Sequence, residues 1–458
     1  MADTVDIQRS ASSSTLNAVD PEERSGRAEV HKTPDQEKIA VRSEINNVDP
    51  RDPQYGDHPD GGLRAWLAVI GCASGACATF GFVNAWGVFQ AYYEEEILSG
   101  TSPSTIAWIG SIQASTIAQD EMMLAMLTVQ QYALIFLPGL VVGRIFDMGW
   151  TKTPLGVASA VIVAVTFLTA ECTEYWQFLL CQGIALGLAC GVIFGVIMGC
   201  PAHWFKRRLG LALGIMALGS SLGGTCFPIA VRNLVQRVGF KWAMRILGFI
   251  EIALLSFQFI TVERRLPPKK RTGPFIDFSA FNSLPFTLYC VSSFLAFLGI
   301  YTVLTYIDVS AASEGIDPNF SFYLLAIANA CSAIGRLAGG FLSDRVGPLS
   351  VMTPATFIAG ILTYAWPFAT SVGGNIAIAI VYGCASGVYV SLLAAPVVRM
   401  GKTHDVGVRV GMSMTVIALG AVAGPPISGA INAATGGYTL TGVYAGETMH
   451  VYAYRLGE

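Results

Sequence analysis

Long, nearly uncharged apolar runs dominate this sequence and decide what it can fold into. A helix that crosses a membrane needs about 20 apolar residues, because the hydrocarbon layer is about 30 Å thick and each residue rises about 1.5 Å. Only 13% of the residues are charged, against about 25% in a soluble domain. The sequence therefore predicts an all-α multi-pass membrane protein in a lipid bilayer. The eleven predicted spans lie near 64–92, 104–146, 155–171, 176–200, 209–235, 242–262, 284–308, 320–343, 349–370, 374–398 and 408–433.

Basic residues are unevenly distributed among the connections between these runs. If the N-terminus is cytosolic, the cytosolic connections carry fourteen Lys and Arg residues and the outer connections carry three. Cytosolic loops of membrane proteins are enriched in Lys and Arg. The pattern predicts a protein of the cell membrane with a cytosolic N-terminus. The three exceptions are Arg232, Arg237 and Lys241, all on one connection.

The chain divides into a polar tail and two apolar parts. Residues 1–60 contain few aromatic residues and many Ser, Asp, Glu and Pro, a composition that cannot bury enough apolar surface to order a chain. We expect a disordered cytosolic tail there, an N-terminal helical bundle at 61–262, a cytosolic linker at 263–283 and a C-terminal bundle at 284–458. The net charge of −3 argues against nucleic acid as a partner.

A short phrase occurs twice, once in each predicted bundle. Residues 143–147 read GRIFD with a glycine at 149, and residues 340–344 read GFLSD with a glycine at 347. Each aspartate ends an apolar run, where its carboxylate can pair with a loop cation or accept hydrogen bonds from a neighbouring helix N-terminus. Two copies half the spans apart indicate two homologous halves, as in many transporters. The predicted gating residues are Asp147, Asp344 and Arg345.

Together with this repeat, three stretches resemble the major facilitator superfamily and, within it, the fungal form of the monocarboxylate porter family. The first two are DGGLRAW at 60–66 and WFKRRLGLALG at 204–214; the third is GRLAG at 335–339, with GPPISG at 424–429. The resemblance covers about residues 60–435 and implies a major facilitator fold of two pseudo-symmetric six-helix halves. We expect a monomer without cofactor or metal, since the ten cysteines include no CxxC pair.

The second span departs from the pattern of that superfamily. Residues 108–113 join naturally onto 132–139 as one helix, and the intervening 114–131 carry Asp120 and Glu121. Two carboxylates at membrane depth are costly. We interpret 114–131 as an in-frame insertion, such as an unspliced short intron. The alternative is a real outer or re-entrant loop.

The twelfth span is the second departure. It should follow Tyr438, but the segment that remains, 444–458, is short and polar and includes Glu447, His450 and Arg455. The sequence therefore predicts about 11–12 transmembrane helices, of which the last is missing or truncated.

Arg336 is the sharpest candidate for substrate contact. It lies inside the eighth span, where a charged residue is costly and usually faces a cavity or a partner. A guanidinium also suits bidentate binding of a carboxylate. The resemblance implies the same role, because the matching arginine of the family is implicated in binding the substrate anion. The alternative is a structural partner for Asp344 or for a helix-end carbonyl.

Other polar residues in the spans complete the predicted site. Asn84 stands where animal members of the family carry a proton-linked lysine, and Ser332 stands where an acidic residue is expected one turn before Arg336. Neither side chain holds a transferable proton, which argues against the proton coupling of those animal members, and the coupling ion stays open with a proton as one candidate. Each polar residue has an alternative role in an interhelical hydrogen bond. The remaining candidates around the central cavity are Asn329, Tyr301, Tyr306 and Gln182.

These features predict a secondary transporter that moves a small organic anion of monocarboxylate type by alternating access. Two alternatives remain: an efflux pump for a fungal secondary metabolite, and a transporter-like nutrient receptor that moves nothing. An enzyme is not expected, because no paired carboxylates, histidine cluster or activated nucleophile lie at a predicted membrane boundary.

Overall fold

The apolar runs form helices throughout the part of the chain that the structure describes. This computed structural model describes residues 59–93, 96, 134–266, 278–401 and 405–457. The 53-residue helix Leu209–Thr261 is broken at Gly239, whose φ of 78° no helix allows, and we count its two arms separately. Numbered in chain order, the helices are α1 Leu63–Phe89, α2 Gly139–Asp147, α3 Lys152–Thr169, α4 Tyr175–Trp204, α5 209–238, α6 240–261, α7 Leu284–Ser313, α8 Pro318–Val346, α9 Pro348–Phe368, α10 Val372–Arg399, α11 Val406–Thr435 and α12 Thr439–Gly457.

The multi-pass membrane topology is confirmed. Within the described residues, nine helices are long and apolar enough to cross a membrane, and one of them is the 53-residue helix that contains both α5 and α6. Helix α2 is the described end of the interrupted second span. The proposed insertion at 114–131 lies outside the described residues, as do 1–58 of the tail and 267–277 of the linker.

Helix α12 occupies the place of the predicted missing or truncated last span. Thr439–Gly457 is a helix of 19 residues. The imidazole of His450 stacks on Tyr364 of α9, with ring centroids 5.2 Å apart, and also contacts Phe357 of the same helix. Helix α12 is not one of the described helices that are long and apolar enough to cross a membrane, so truncation of the last span stays a prediction.

Helices within each half pack in equivalent pairs. Helix α1 lies against α5 and α6, and its counterpart α7 lies against α11 and α12. Two further pairs join the halves: α2 with α11, and α5 with α8. Helix α2 corresponds to α8 and helix α5 corresponds to α11, six positions further on in each case, so exchanging the two halves converts one pair into the other. The turn glycines of the repeated phrase also match, since Gly149 and Gly347 have φ values of 98° and 96°.

The basic connection that broke the loop-charge pattern is paired in the structure. Lys241 and Arg245 donate to the carboxylate of Glu171, at 3.1 and 2.7 Å. These hydrogen bonds hold the pKa of the Glu171 carboxyl below its usual range. Arg232 lies over the ring of Phe322 on α8. Two of the three basic residues that broke the pattern, Arg232 and Lys241, therefore make local contacts.

Glycines allow the closest helix contacts, and one of them provides a test of the fold. A β-carbon at Gly335 of α8 would overlap the backbone of Cys384 on α10, whereas one at Gly373 would meet nothing within 4 Å. Overpacking a close contact costs about 1–3 kcal/mol. We therefore expect Gly335→Ala to lower the melting temperature of the detergent-solubilised protein and Gly373→Ala to leave it unchanged. Equal melting temperatures for the two variants would contradict the α8–α10 contact.

Candidate transport site and the interface between the halves

A row of polar side chains on α8 faces the N-terminal half. Asn329, Ser332 and Arg336 are spaced three and four residues apart, which places them on one face of the helix. Polar groups inside a membrane helix need partners, because hydrocarbon offers none. Each member of this row finds its partner on α1 or α5, so the row forms part of the interface between the halves.

Arg336 is bound to the backbone and a hydroxyl of α5. Its Nη1 donates to the carbonyl oxygen of Ala217 at 2.6 Å and to the hydroxyl of Ser220. The side chain is 9% exposed. The guanidinium therefore joins the halves through a carbonyl inside α5 rather than at a helix end, and Asp344 has other partners. Anion binding by Arg336 stays a prediction.

Asn84 and Asn329 meet at the next level of the row. The side-chain amide of Asn329 donates to Oδ1 of Asn84 at 3.3 Å, and the amide of Asn84 donates to the carbonyl of Phe80 at 2.8 Å. Gly224 of α5 lies opposite both amides and leaves them room. Both asparagines are half-buried, so they are the predicted site residues that retain partial access at the interface.

One hydroxyl pair lies between these two levels. The hydroxyls of Ser221 and Ser332 are 2.6 Å apart and share a hydrogen bond between α5 and α8. Ser332 also donates to the carbonyl of Asn329 at 2.8 Å. The row is thus continuous from the asparagines to Arg336.

Three predicted site residues lie away from the row. Gln182 accepts a hydrogen bond from Tyr93 at 2.6 Å inside the N-terminal half. Tyr306 donates to the carbonyl of Pro425 at 3.1 Å inside the C-terminal half. Tyr301 is buried edge-on against Phe297. The structure therefore brings together Asn84, Asn329 and Arg336, and it places these three elsewhere.

Asp147 binds the N-terminus of a helix from the other half. Its two carboxylate oxygens accept hydrogen bonds from the backbone N–H groups of Gly407 and Val408, at 3.0 and 2.8 Å. These are the second and third residues of α11, whose N–H groups have no partner within the helix. Arg264 donates to the carbonyls of Phe146 and Asp147 and so also covers the end of α2.

Asp344 makes the equivalent contact on the opposite side. Its oxygens accept from the N–H groups of Gly210 and Leu211, at 2.7 and 2.9 Å, which are again the second and third residues of a helix, α5. Arg345, the third predicted gating residue, lies over the ring of Phe341 on its own helix. We call the end of the bundle that holds Asp147 and Asp344 the aspartate end.

A third aspartate at this end connects the start of α1 to the start of α5. Asp60 accepts from the N–H groups of Lys206 and Arg207 at 2.7 Å each, and donates its own N–H to Trp204. Trp66 packs on Phe205 with ring centroids 4.7 Å apart. Two stretches that are separate in the sequence, 60–66 and 204–214, therefore form one contact.

Sequence reasoning missed Ser220 and Ser221. Their signal was present, since Ser221 lies seven residues after Gly214 and therefore on the same face of α5. A serine that shares a helix face with glycine is interpreted as a packing residue until the facing helix is known. In the structure the facing group is the hydroxyl of Ser332 on α8, which shares a hydrogen bond with Ser221.

Comparison with known proteins decides the family of this two-half helical bundle. The family model of the Major Facilitator Superfamily matches residues 71–425. The chain belongs to the major facilitator superfamily. It is therefore a secondary transporter by family.

Among the relatives of this superfamily member are fungal transporters. It is 34% identical over 402 residues to the aspyridones efflux protein apdF of Emericella nidulans, covering 87% of this chain and 78% of that protein. It is 35% identical over 413 residues to MFS-type transporter 1 of an Ophiocordyceps species, covering 90% of this chain and 88% of that protein. The superfamily prediction is confirmed, and the monocarboxylate branch stays a prediction.

Solved structures show the same fold at low sequence identity. The human organic anion transporter MFSD10 (TETRAN) matches with a TM-score of 0.70 at 14% identity, over 86% of this chain and 99% of that one. The Escherichia coli fucose:proton symporter FucP matches with a TM-score of 0.60 at 15% identity, over 85% of this chain and 98% of that one. The major facilitator fold is thereby confirmed.

The hydroxyl pair provides a direct test of the interface in this superfamily member. Because the oxygens of Ser221 and Ser332 are 2.6 Å apart, cysteines at both positions are within reach of a disulfide. We expect Ser221→Cys with Ser332→Cys to form a disulfide under mild oxidation. The two halves should then stay joined after a protease cuts the linker between them. Ser221→Cys with Ser386→Cys is the control, because Ser386 bonds to its own helix. Equal cross-linking of both pairs would contradict the interface.

Proposed function

We propose that this secondary transporter exports a small, largely uncharged secondary metabolite. A relative that is 34% identical is named as an efflux protein for aspyridones, which supports efflux over monocarboxylate uptake. The relatives dbaD of Emericella nidulans and asaE of Aspergillus flavus are likewise named as transporters. The proposal thus favours the efflux alternative that the sequence had left beside a monocarboxylate.

The chemistry of the α8 row supports a solute without a strong negative charge. The groups with partial access, Asn84 and Asn329, are neutral amides that donate and accept hydrogen bonds. The one cation of the row, Arg336, already binds the Ala217 carbonyl and the Ser220 hydroxyl. We propose that the two amides contact the solute and that Arg336 joins the halves.

Alternating access follows from the position of the row. The partners of the row lie on the opposite half, so rocking the halves apart must break these hydrogen bonds. A solute that enters between the halves replaces these interhelical hydrogen bonds with its own hydrogen bonds to the row. The observation that carries the proposal is this polar row shared by the two halves.

The two aspartate junctions act as the proposed gate. A carboxylate on a helix N-terminus is stabilised by the backbone N–H groups and the helix dipole. Asp147 and Asp344 hold both junctions closed in this structure, while Arg345 takes no part in either. The loop charges favour a cytosolic N-terminus, which makes the aspartate end cytosolic and this state closed toward the cytosol.

A transport assay with aspyridones as the probe tests the proposal. Inside-out vesicles that contain the protein should accumulate labelled aspyridones, and Asn329→Leu should lower the apparent affinity by about twofold to tenfold, because one hydrogen bond to the solute contributes about 0.5–1.5 kcal/mol. Asn233→Leu is the matched control, since Asn233 is exposed and bonds to its own helix. Uptake of carboxylates without any uptake of aspyridones would contradict the proposal. A substrate-dependent signal without flux would favour the receptor.

The gate is tested by neutralising one junction and observing the other. Each hydrogen bond to a charged group contributes about 1.5–3 kcal/mol, so Asp344→Asn should increase the fraction of molecules that are open at the aspartate end. The readout is the rate at which a membrane-impermeant maleimide labels Val408→Cys, which is buried on α11 beside Asp147. Labelling should accelerate with Asp344→Asn and stay unchanged with Arg345→Ala. An unchanged rate with Asp344→Asn would show that the junctions do not act together.

A further inference from the structure

A buried carboxyl group lies near the middle of α6, outside the polar row described above. Glu251 is 0% exposed. Neither of its oxygens has a hydrogen-bond partner among the described residues. A carboxylate that is buried without a hydrogen bond or a counter-charge is very costly, and such a group becomes neutral by binding a proton.

Within the part of the chain that the structure describes, no cation is paired with Glu251. The titratable side chains that interact with it are the thiols of Cys77 on α1 and Cys190 on α4. None of the described residues offers the Glu251 carboxyl a charged hydrogen-bond partner. Helix α3 also packs on α6, but its Lys152 donates to the carbonyls of Phe259 and Ile260, at the aspartate end.

A second unpartnered polar side chain lies on the same face of α6, toward the aspartate end. Gln258 is seven residues, or about 10.5 Å, beyond Glu251, and it is also 0% exposed. Its Oε1 and Nε2 have no hydrogen-bond partner in the described part of the chain. The hydroxyl of Ser74 donates to the Leu254 carbonyl at 2.8 Å, at a level between the two side chains. Gly75 of α1 leaves the space that Gln258 fills.

We propose that Glu251 is a proton-binding site that couples solute export to the proton gradient. The carboxyl binds one proton in the closed state of this structure. It releases that proton toward the aspartate end along Ser74 and Gln258 when α1 moves relative to α6. In each cycle Glu251 binds one proton and releases the same proton, so the step is balanced without any other reactant. The coupling part of this inference rests on the proposed export function, whereas proton binding by Glu251 does not.

Infrared spectroscopy of the purified full chain tests proton binding without any solute. At neutral pH the wild type should show the carbonyl stretching band of a buried protonated carboxylic acid, and Glu251→Gln should lose that band. Glu314→Gln is the matched control, because Glu314 is exposed and should leave the band unchanged. Identical spectra for the wild type and Glu251→Gln would overturn the proposal, whatever solute the protein carries.

Vesicle transport with aspyridones as the probe tests the coupling. Glu251→Gln should lose accumulation driven by a pH gradient and retain exchange of labelled for unlabelled probe, because exchange needs no net proton movement. Glu251→Asp keeps a carboxyl group and should retain part of the driven accumulation, which also controls for misfolding. Undiminished pH-driven accumulation by Glu251→Gln would overturn the coupling. If the wild type moves no aspyridones, the choice of solute under the proposed function is wrong, and the infrared result still decides whether Glu251 binds the proton.

Discussion

Hydrogen bonds from two helix N-termini to two aspartates hold the halves of this transporter together at one end. Asp147 binds the second and third N–H groups of α11, and Asp344 binds the same two positions of α5. Each half therefore contributes one carboxylate and one helix N-terminus. Glycines at the contacts allow the backbones to approach closely. Because the two junctions are equivalent, opening this end requires each half to release one helix N-terminus from a carboxylate of the other half.

The polar row and the Asp344 junction lie on the same helix. Asp344 and the row that ends at Arg336 are on α8, and their partners are on α5, except that Asn329 binds Asn84 on α1. Movement at the aspartate end is therefore transmitted along a rigid helix to the groups proposed to contact the solute. Glu251 lies inside the N-terminal half and interacts with α1. Since Asn84 is also on α1, this helix connects the proposed proton site to the proposed solute site.

Much of the fold follows from local patterns in the sequence, but the partners of the site residues do not. The length of the apolar runs predicts the membrane helices, and the repeated Gly-x-x-x-Asp phrase predicts two halves. Hydropathy alone does not show that His450 of α12 stacks on Tyr364 of α9, because this is a tertiary contact. The sequence predicts anion binding by Arg336, but nothing local in it shows that the Ala217 carbonyl and the Ser220 hydroxyl lie opposite the guanidinium. Glu251 escapes notice for the same reason, because one glutamate in an apolar run reveals neither its burial nor its lack of partners.

The central claim is that the aspartate end and the opposite end of the bundle open in alternation. It is tested most directly by single-molecule fluorescence on two pairs of exposed positions during transport. One pair, Trp150 and Val346, reports on the aspartate end, and the other, Trp176 and Glu314, reports on the opposite end. We predict that the first distance lengthens whenever the second shortens, and that added solute speeds this exchange. Two distances that stay constant while solute is transported would contradict the account.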